Sequence, residues 1–157
     1  MIIYTDGSSI GNPGPGGWAA ILIYGDYKKE ISSGFRLTTN NRMELLAPIE
    51  ALSLIKKAGN YDITIYSDSR LLVDTVNKGW LKRWENNNWM RNKKEKAKNI
   101  DLLERLSDLL KIHNVKFVWV KAHAGNELNE RCDFLCKQAA TGNNLAEDIG
   151  YERAGEE

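Results

Sequence analysis

Asp6 stands in the middle of a strand pattern. Residues 2–8 read Ile-Ile-Tyr-Thr-Asp-Gly-Ser, and Asp6 shares a side with Ile2 and Tyr4. Asp is disfavoured in strand interiors, and an acid on an apolar face is costly unless it is paired. The fold must therefore bring something to Asp6. Three further acids lie in separate segments whose contexts could aim them at the same point: Glu44 in Thr-Thr-Asn-Asn-Arg-Met-Glu, Asp68 in Ile-Tyr-Ser-Asp-Ser, and Asp133 in Asn-Glu-Arg-Cys-Asp. Converging carboxylates repel one another at short range and need a counter-charge. All-oxygen ligands with spare water positions suit Mg²⁺ or Mn²⁺. A metal pair held in this way is a device for cutting phosphodiesters.

Taken singly, three of the four have ordinary explanations. Asn41-x-x-Glu44 fits a capping box, with Asn41 as N-cap. Asp68 follows a strand and precedes a helix, so it could be an N-cap, although ligands also gather at the carboxyl ends of strands in open α/β sheets. Asp133 stands four residues before Lys137, the spacing of a surface ion pair on a helix. The case rests on the combination.

The elements between these acids predict a mixed α/β architecture. Strands are expected over residues 2–8, 18–24 and 28–37, joined by short Gly-rich links, which suggests an antiparallel meander. A helix follows over residues 41–58, with Pro48 inside it removing one amide. Then come a strand (62–67), a helix (69–77), a Lys/Trp-rich segment, a helix (96–112), a strand (115–120) and a helix (127–140). The strand–helix–strand units imply parallel pairing, hence a five-stranded mixed sheet with helices on both faces.

The 157 residues make one domain's length. Residues 1–140 are expected to form it, with a polar, acidic and loosely held tail over 141–157. Met1 runs straight into a strand pattern, no apolar run approaches a membrane span, and the expected setting is the cytoplasm. Cys132 and Cys136 lack the partners of a zinc site and read as reduced, buried thiols. Net charge is only +1, yet residues 78–98 carry eight Lys/Arg against two Glu. A local patch of this kind is what nucleic-acid binding needs.

The motifs around the acids resemble those of type 1 ribonuclease H, most nearly its bacterial ribonuclease HI branch. Thr5-Asp6-Gly7-Ser8 with the Gly/Pro run at 11–17 resembles the first strand and turn of that family. Residues 38–45 resemble the start of its first helix, and Tyr66-Ser67-Asp68-Ser69 its fourth strand. Residues 118–125 and 129–133 resemble its last strand, loop and last helix. All lie in order, from about residue 2 to residue 140.

The resemblance implies a ribonuclease H-like fold that cuts the RNA strand of RNA–DNA hybrids, leaving 5′-phosphate and 3′-hydroxyl ends. Asp6, Glu44, Asp68 and Asp133 would hold two Mg²⁺ ions, with Mn²⁺ a possible substitute. His123 would assist proton transfer or product departure, work that suits an imidazole. Asn12, Asn40 and Asn41 would contact the hybrid's minor groove, and Thr39 a DNA phosphate. Their ordinary roles, turn formation and helix capping, are compatible with contact. The segment at 78–98 resembles a basic handle in which Trp80, Lys82, Arg83, Trp84, Lys93 and Lys94 would grip the DNA strand. Nothing in the chain demands a second subunit, so a monomer is expected. Ser9 and Arg70 depart from the family pattern, where Cys and Gln are frequent. Another nuclease or strand-transfer activity on the same fold, and a non-cutting hybrid binder, are the competing readings. The binder predicts a missing carboxylate, and none is missing.

Overall fold

The computed structural model describes residues 1–154. Its strands are β1 (Ile2–Ser9), β2 (Gly14–Tyr24), β3 (Tyr27–Thr38), β4 (Asp62–Ser67) and β5 (Asn114–Trp119). Its helices are α1 (Asn40–Ser53), α2 (Arg70–Asn77), α3 (Trp80–Asn86), α4 (Ile100–Ile112), α5 (Glu127–Ala140) and α6 (Ile149–Glu152), with a 3₁₀ turn at Lys57–Gly59. The sheet order is β3-β2-β1-β4-β5. β1, β2 and β3 pair antiparallel, whereas β4 lies parallel to both β1 and β5. This is the mixed sheet that the element order predicts.

The two faces of the sheet bury different residues, as strand alternation requires. Ile3, Ala20 and Leu22 face a large core with Met43, Leu46, Ile49 and Leu52 of α1 and Leu102, Leu103 and Leu106 of α4. Ala19 and Ile21 face the other way, onto Cys132, Leu135 and Cys136 of α5, with Tyr4 alongside. Helices thus cover both faces. Both cysteines are free and buried. Among the described residues, no helix is long and apolar enough to cross a membrane.

Four helix boundaries differ from the sequence reading. The N-cap of α1 is Thr39, whose hydroxyl accepts from the Arg42 amide at 3.2 Å, so Asn41 lies inside the helix and forms no capping box with Glu44. The helix ends at Ser53 rather than near residue 58, because the Leu54 and Ile55 amides turn back to the carbonyls of Ala51 and Leu52 and tighten the last turn. Likewise Ser69, not Asp68, caps α2 by accepting from the Leu72 amide at 3.1 Å. Asp68 is therefore released from a capping role. α4 begins at Ile100, after Asn99 in the left-handed region (φ 60°).

Within the tail expected over 141–157, residues 146–152 depart most from a loosely held segment, and residues 155–157 lie outside the described residues. Ala146 exchanges backbone hydrogen bonds with Gly34 and Arg36, extending the β3 edge, and α6 follows. Asp148 is buried; it accepts from Thr38 Oγ1 at 2.6 Å and from Arg42 Nε and Nη2 at 2.8 and 2.9 Å. Arg42, itself buried, also forks onto Asp101 of α4 at 2.7 and 2.9 Å. Composition alone missed this, because the acidic character of the tail is complementary to one buried guanidinium. Removing a partner from a buried pair costs more than the pair gives. Asp148→Asn is expected to lower the unfolding free energy by roughly 3 kcal/mol, read from urea denaturation. A change below about 0.5 kcal/mol, the level of an ordinary surface substitution, would show that the tail is not anchored this way.

Candidate active site

Parallel pairing places Thr5 of β1 opposite Ser67 of β4. Asp6 and Asp68 each follow by one residue, so both carboxylates emerge where the β1–β4 pairing ends, at the carboxyl end of β4, the kind of position where open α/β sheets bind ligands. Glu44 arrives from α1 because of Gly7. A β-carbon at Gly7 would lie 2.3 Å from the Met43 carbonyl carbon and 2.4 Å from the Glu44 nitrogen. Only glycine lets the strand and the helix touch there. Asp133 comes from α5 on the opposite face, which packs just as tightly: a β-carbon at Gly17 of β2 would meet the Cys136 carbonyl oxygen at 2.4 Å.

The result is a convergence on Asp6. One carboxylate oxygen each of Asp6, Glu44 and Asp68 lie within 4.8 Å of one another. Asp6, Asp133 and the Cys136 sulfur form a second such group. The Gly7 amide donates to Asp6 Oδ1 at 2.8 Å and reaches Glu44 Oε1 at 3.2 Å. Asn129 Nδ2 donates to Asp68 Oδ2 at 3.2 Å, while Trp119 Nε1 donates to the Asp68 carbonyl at 3.2 Å. Asp133 also pairs with the exposed Lys137 at 3.0 Å, so the helix ion pair predicted from spacing coexists with convergence.

Burial, with the neighbouring negative charge, shifts the titration of Asp6 and Glu44. Burial is the largest influence on Asp6, and Asp68 and Asp133 add repulsion; a hydrogen bond from Glu44 and one from the Gly7 amide oppose them. The net effect raises Asp6 from 3.8 to about 7. Glu44 is held well above its ordinary value, first by burial and then by Asp6. Glu44 Oε2 is fully buried and receives no hydrogen bond from a protein N–H or hydroxyl group. Its neighbour is another carboxylate, with which it can share a proton only while it is protonated. An all-oxygen donor set with an undonated buried oxygen fits a hard divalent cation. Cys136 does not join that donor set: burial, then Asp6, pushes its thiol up, and its sulfur donates to the Asp133 carbonyl at 3.3 Å.

The other predicted residues border this cluster or lie beyond it. Asn12 Oδ1 accepts from the Asn40 amide at 3.0 Å, tying the β1–β2 turn to the start of α1, beside Thr39 and the exposed Asn41. In the handle, Lys82, Arg83, Lys93 and Lys94 are exposed. Trp80 packs against Trp84 with ring centroids 6.2 Å apart, and Trp84 and Trp89 are anchored on the main core. The Trp concentration therefore has a structural component that the sequence reading did not separate. His123 is exposed in the loop between β5 and α5, with φ 55°.

Sequence reasoning missed Asn129 and Trp119, which hold the Asp68 segment. Asn129 had a signal, since it precedes Asp133 by one helical turn and shares its face. Trp119 had none, because its role depends on which strand lies beside β4.

An acidic cluster where the pairing of β1 with β4 ends, flanked by α1 and α5 on a β3-β2-β1-β4-β5 sheet, is the arrangement of a ribonuclease H-like α/β fold. A family model described as RNase H matches residues 1–141. The ribonuclease H of Syntrophus aciditrophicus (strain SB) is 55% identical over 151 residues, covering 96% of this chain and 86% of that protein. The crystal structure of LC9-RNase H1, a type 1 RNase H with the type 2 active-site motif, matches with TM-score 0.81 at 28% identity, covering 98% of this chain and 80% of that one. LC11-RNase H1, solved in complex with an RNA/DNA hybrid, shares the fold with TM-score 0.68 at 24% identity, covering 88% and 95%. The chain belongs to the RNase H family.

Raised carboxylate values have a definite consequence for stability. An Asp6 that titrates near 7 in the folded state and near 3.8 unfolded contributes fully below about pH 4 and loses that contribution as pH rises through 7. In metal-free protein, Asp6→Asn should match the parent near pH 4 and exceed it at pH 8.5 by roughly 1–4 kcal/mol. Urea unfolding in chelator at the two pH values measures the difference. A gap that does not widen with pH would refute the raised value.

Proposed function

We propose that the protein is an endonuclease that hydrolyses the RNA strand of RNA–DNA hybrids, using two divalent ions and leaving 5′-phosphate and 3′-hydroxyl ends. The observation that carries this reading is the convergence of Asp6, Glu44, Asp68 and Asp133, with Glu44 Oε2 buried and undonated. Membership of the RNase H family and the likeness to a fold solved with RNA/DNA hybrid support the substrate. The four carboxylates would hold Mg²⁺, or Mn²⁺ as a substitute; when bound, such ions lower the pKa of water and stabilise a leaving oxygen.

The chain's own groups supply position. The Gly7 amide fixes the orientation of Asp6 and Glu44, and Asn129 that of Asp68. Asn12, Asn40 and Asn41 carry amides that donate and accept, as a 2′-hydroxyl in the minor groove requires. Thr39, at the helix start, would contact a DNA phosphate. Trp80, Lys82, Arg83, Trp84, Lys93 and Lys94 form the grip on the DNA strand, with Trp84 contributing chiefly as the anchor of the handle. His123 moves a proton at the reacting phosphate or its departing product. All of these groups come from one chain, so the reading is of a monomer. Two buried reduced thiols fit a reducing compartment such as the cytoplasm.

The deciding experiment is a Mg²⁺-dependent cleavage assay on hybrid, duplex DNA, duplex RNA and single strands. Cleavage confined to the RNA of hybrid is the expected result; activity on duplex DNA, or binding without cutting, would overturn the reading. Asp6→Asn and Asp68→Asn should each abolish cleavage with the fold intact, and near-normal turnover by either would remove that residue from the metal site.

His123→Ala should slow turnover by about 10²–10⁴-fold, the usual worth of a positioned proton-transfer group. Hybrid affinity should barely move. Activity within about threefold of the parent, too little for proton transfer, would leave His123 only a loop-shaping role.

A further inference from the structure

Asp6 and Glu44 are buried, and the backbone contact at Gly7 fixes them against each other. Asp68 is held differently. It is half-buried and stands one residue past Ser67, where the pairing of β4 with β5 ends opposite Trp119. It caps no helix, because Ser69 takes that position. The direction of its carboxylate therefore depends on how the turn between β4 and α2 is tied down.

The ties come from β5 and α5. The Val120 amide donates to the Ser67 carbonyl at 2.9 Å, one step beyond the last strand pair. The Trp119 indole N–H donates to the Asp68 carbonyl at 3.2 Å, and Asn129 Nδ2 donates to Asp68 Oδ2 at 3.2 Å. Asn129 thus holds the carboxylate, whereas Trp119 holds the main chain of the same residue. Trp119 is 37% exposed, so burial alone does not set its ring. Arg70, the first residue of α2, lies over the indole face with its guanidinium carbon 3.9 Å from the ring centre. That contact adds a second hold on the ring plane. The side chain at the end of β5 is clasped at its edge by the Asp68 carbonyl and on its face by the residue two positions further on.

We infer that Trp119 is a positioning residue of the metal site: by fixing the Asp68 carbonyl it sets the direction of the Asp68 carboxylate, and so the affinity of the cluster for a divalent ion, given the reading above that the carboxylates hold such ions. A carboxylate free to sample several directions must be ordered when an ion binds, and that ordering is lost from affinity. Groups that orient a metal ligand are typically worth about 10–100-fold in metal affinity. Trp119 acts through the main chain rather than on the carboxylate, which places it at the lower end, about tenfold.

The test measures Mn²⁺ binding in the absence of substrate, from the electron paramagnetic resonance signal of the free ion. The proteins compared are the parent, Trp119→Phe, Asp68→Asn and the double variant. Trp119→Phe should weaken binding about tenfold. In the Asp68→Asn background the same change should alter binding by less than about twofold, because the carboxylate that it orients is already neutral. Benzothienylalanine at position 119 keeps the size and face of the ring but lacks the N–H, and should reproduce most of the loss. The Mn²⁺ concentration that half-activates cleavage should rise by the same factor, with KM for hybrid at saturating metal little changed. Parent-like Mn²⁺ affinity in the benzothienylalanine protein, or in Trp119→Phe even with lower thermal stability, would show that the indole is only structural and overturn the inference. So would an equal loss with and without the Asp68 carboxylate, which is the mark of general loosening. A parent that binds Mn²⁺ no more tightly than Asp68→Asn is a separate result: it overturns the metal reading itself, and the role of Trp119 with it.

Discussion

The contact between β1 and α1 at Gly7 is the constraint on which the site depends. Strand and helix backbones meet there at a distance that no side chain tolerates. Separating them by the width of one methyl group would move Glu44 away from Asp6 and from the Gly7 amide. That amide is one of few donors in the cluster, so the same contact that crowds the charges also orients them. The opposing face repeats the device at Gly17, where β2 receives α5 and sets the depth of Asp133.

Gathering four carboxylates has an electrostatic cost, and the protein leaves it largely uncompensated. Arg42 is spent on Asp148 and Asp101, and Lys137 approaches Asp133 only from solvent. Among the described residues, no basic side chain forms an ion pair with Asp6, Glu44 or Asp68. The imbalance appears instead as raised proton affinity at Asp6 and Glu44. A site of this kind binds protons or cations at its centre and keeps its fixed positive charge outside, in the handle and at Arg70. The division would suit the polyanionic substrate proposed above, which would meet cations at the periphery and, within, an acidic cluster able to hold a hard metal ion.

Stability is concentrated in a second hub. Arg42 joins α1, α4 and the tail around a single buried guanidinium, and Thr38 at the end of β3 shares Asp148 with it. Thr39, Asn40 and Asn41 lie between these two anchored positions. The segment proposed for hybrid contact is thus held at both ends by one network; Thr39 caps the helix, and the Asn40 and Asn41 side chains are exposed. In the handle, Trp84 and Trp89 pack on the core so that Lys82, Arg83, Lys93 and Lys94 project from a fixed base.

By itself the sequence determined the mixed sheet and most elements, though not α3 or α6, and singled out the four acids, because each of these leaves a local trace. Periodicity marks strands and helices, and an acid in an apolar strand marks a site. Resemblance across five ordered motifs supplied the roles that spacing could not. What only tertiary structure decided are relations between distant segments. Asn41 and Asp68 had the local pattern of caps, yet Thr39 and Ser69 took those positions, since a cap depends on where the chain enters the helix. The acidic tail looked loose because its partner, Arg42, lies 106 residues away. Asn129 and Trp119 gained their hold on Asp68 only when β4, β5 and α5 came together. Local propensity is written in neighbouring residues, but which donor reaches which carboxylate is settled by packing, and packing brings together residues that the chain keeps far apart.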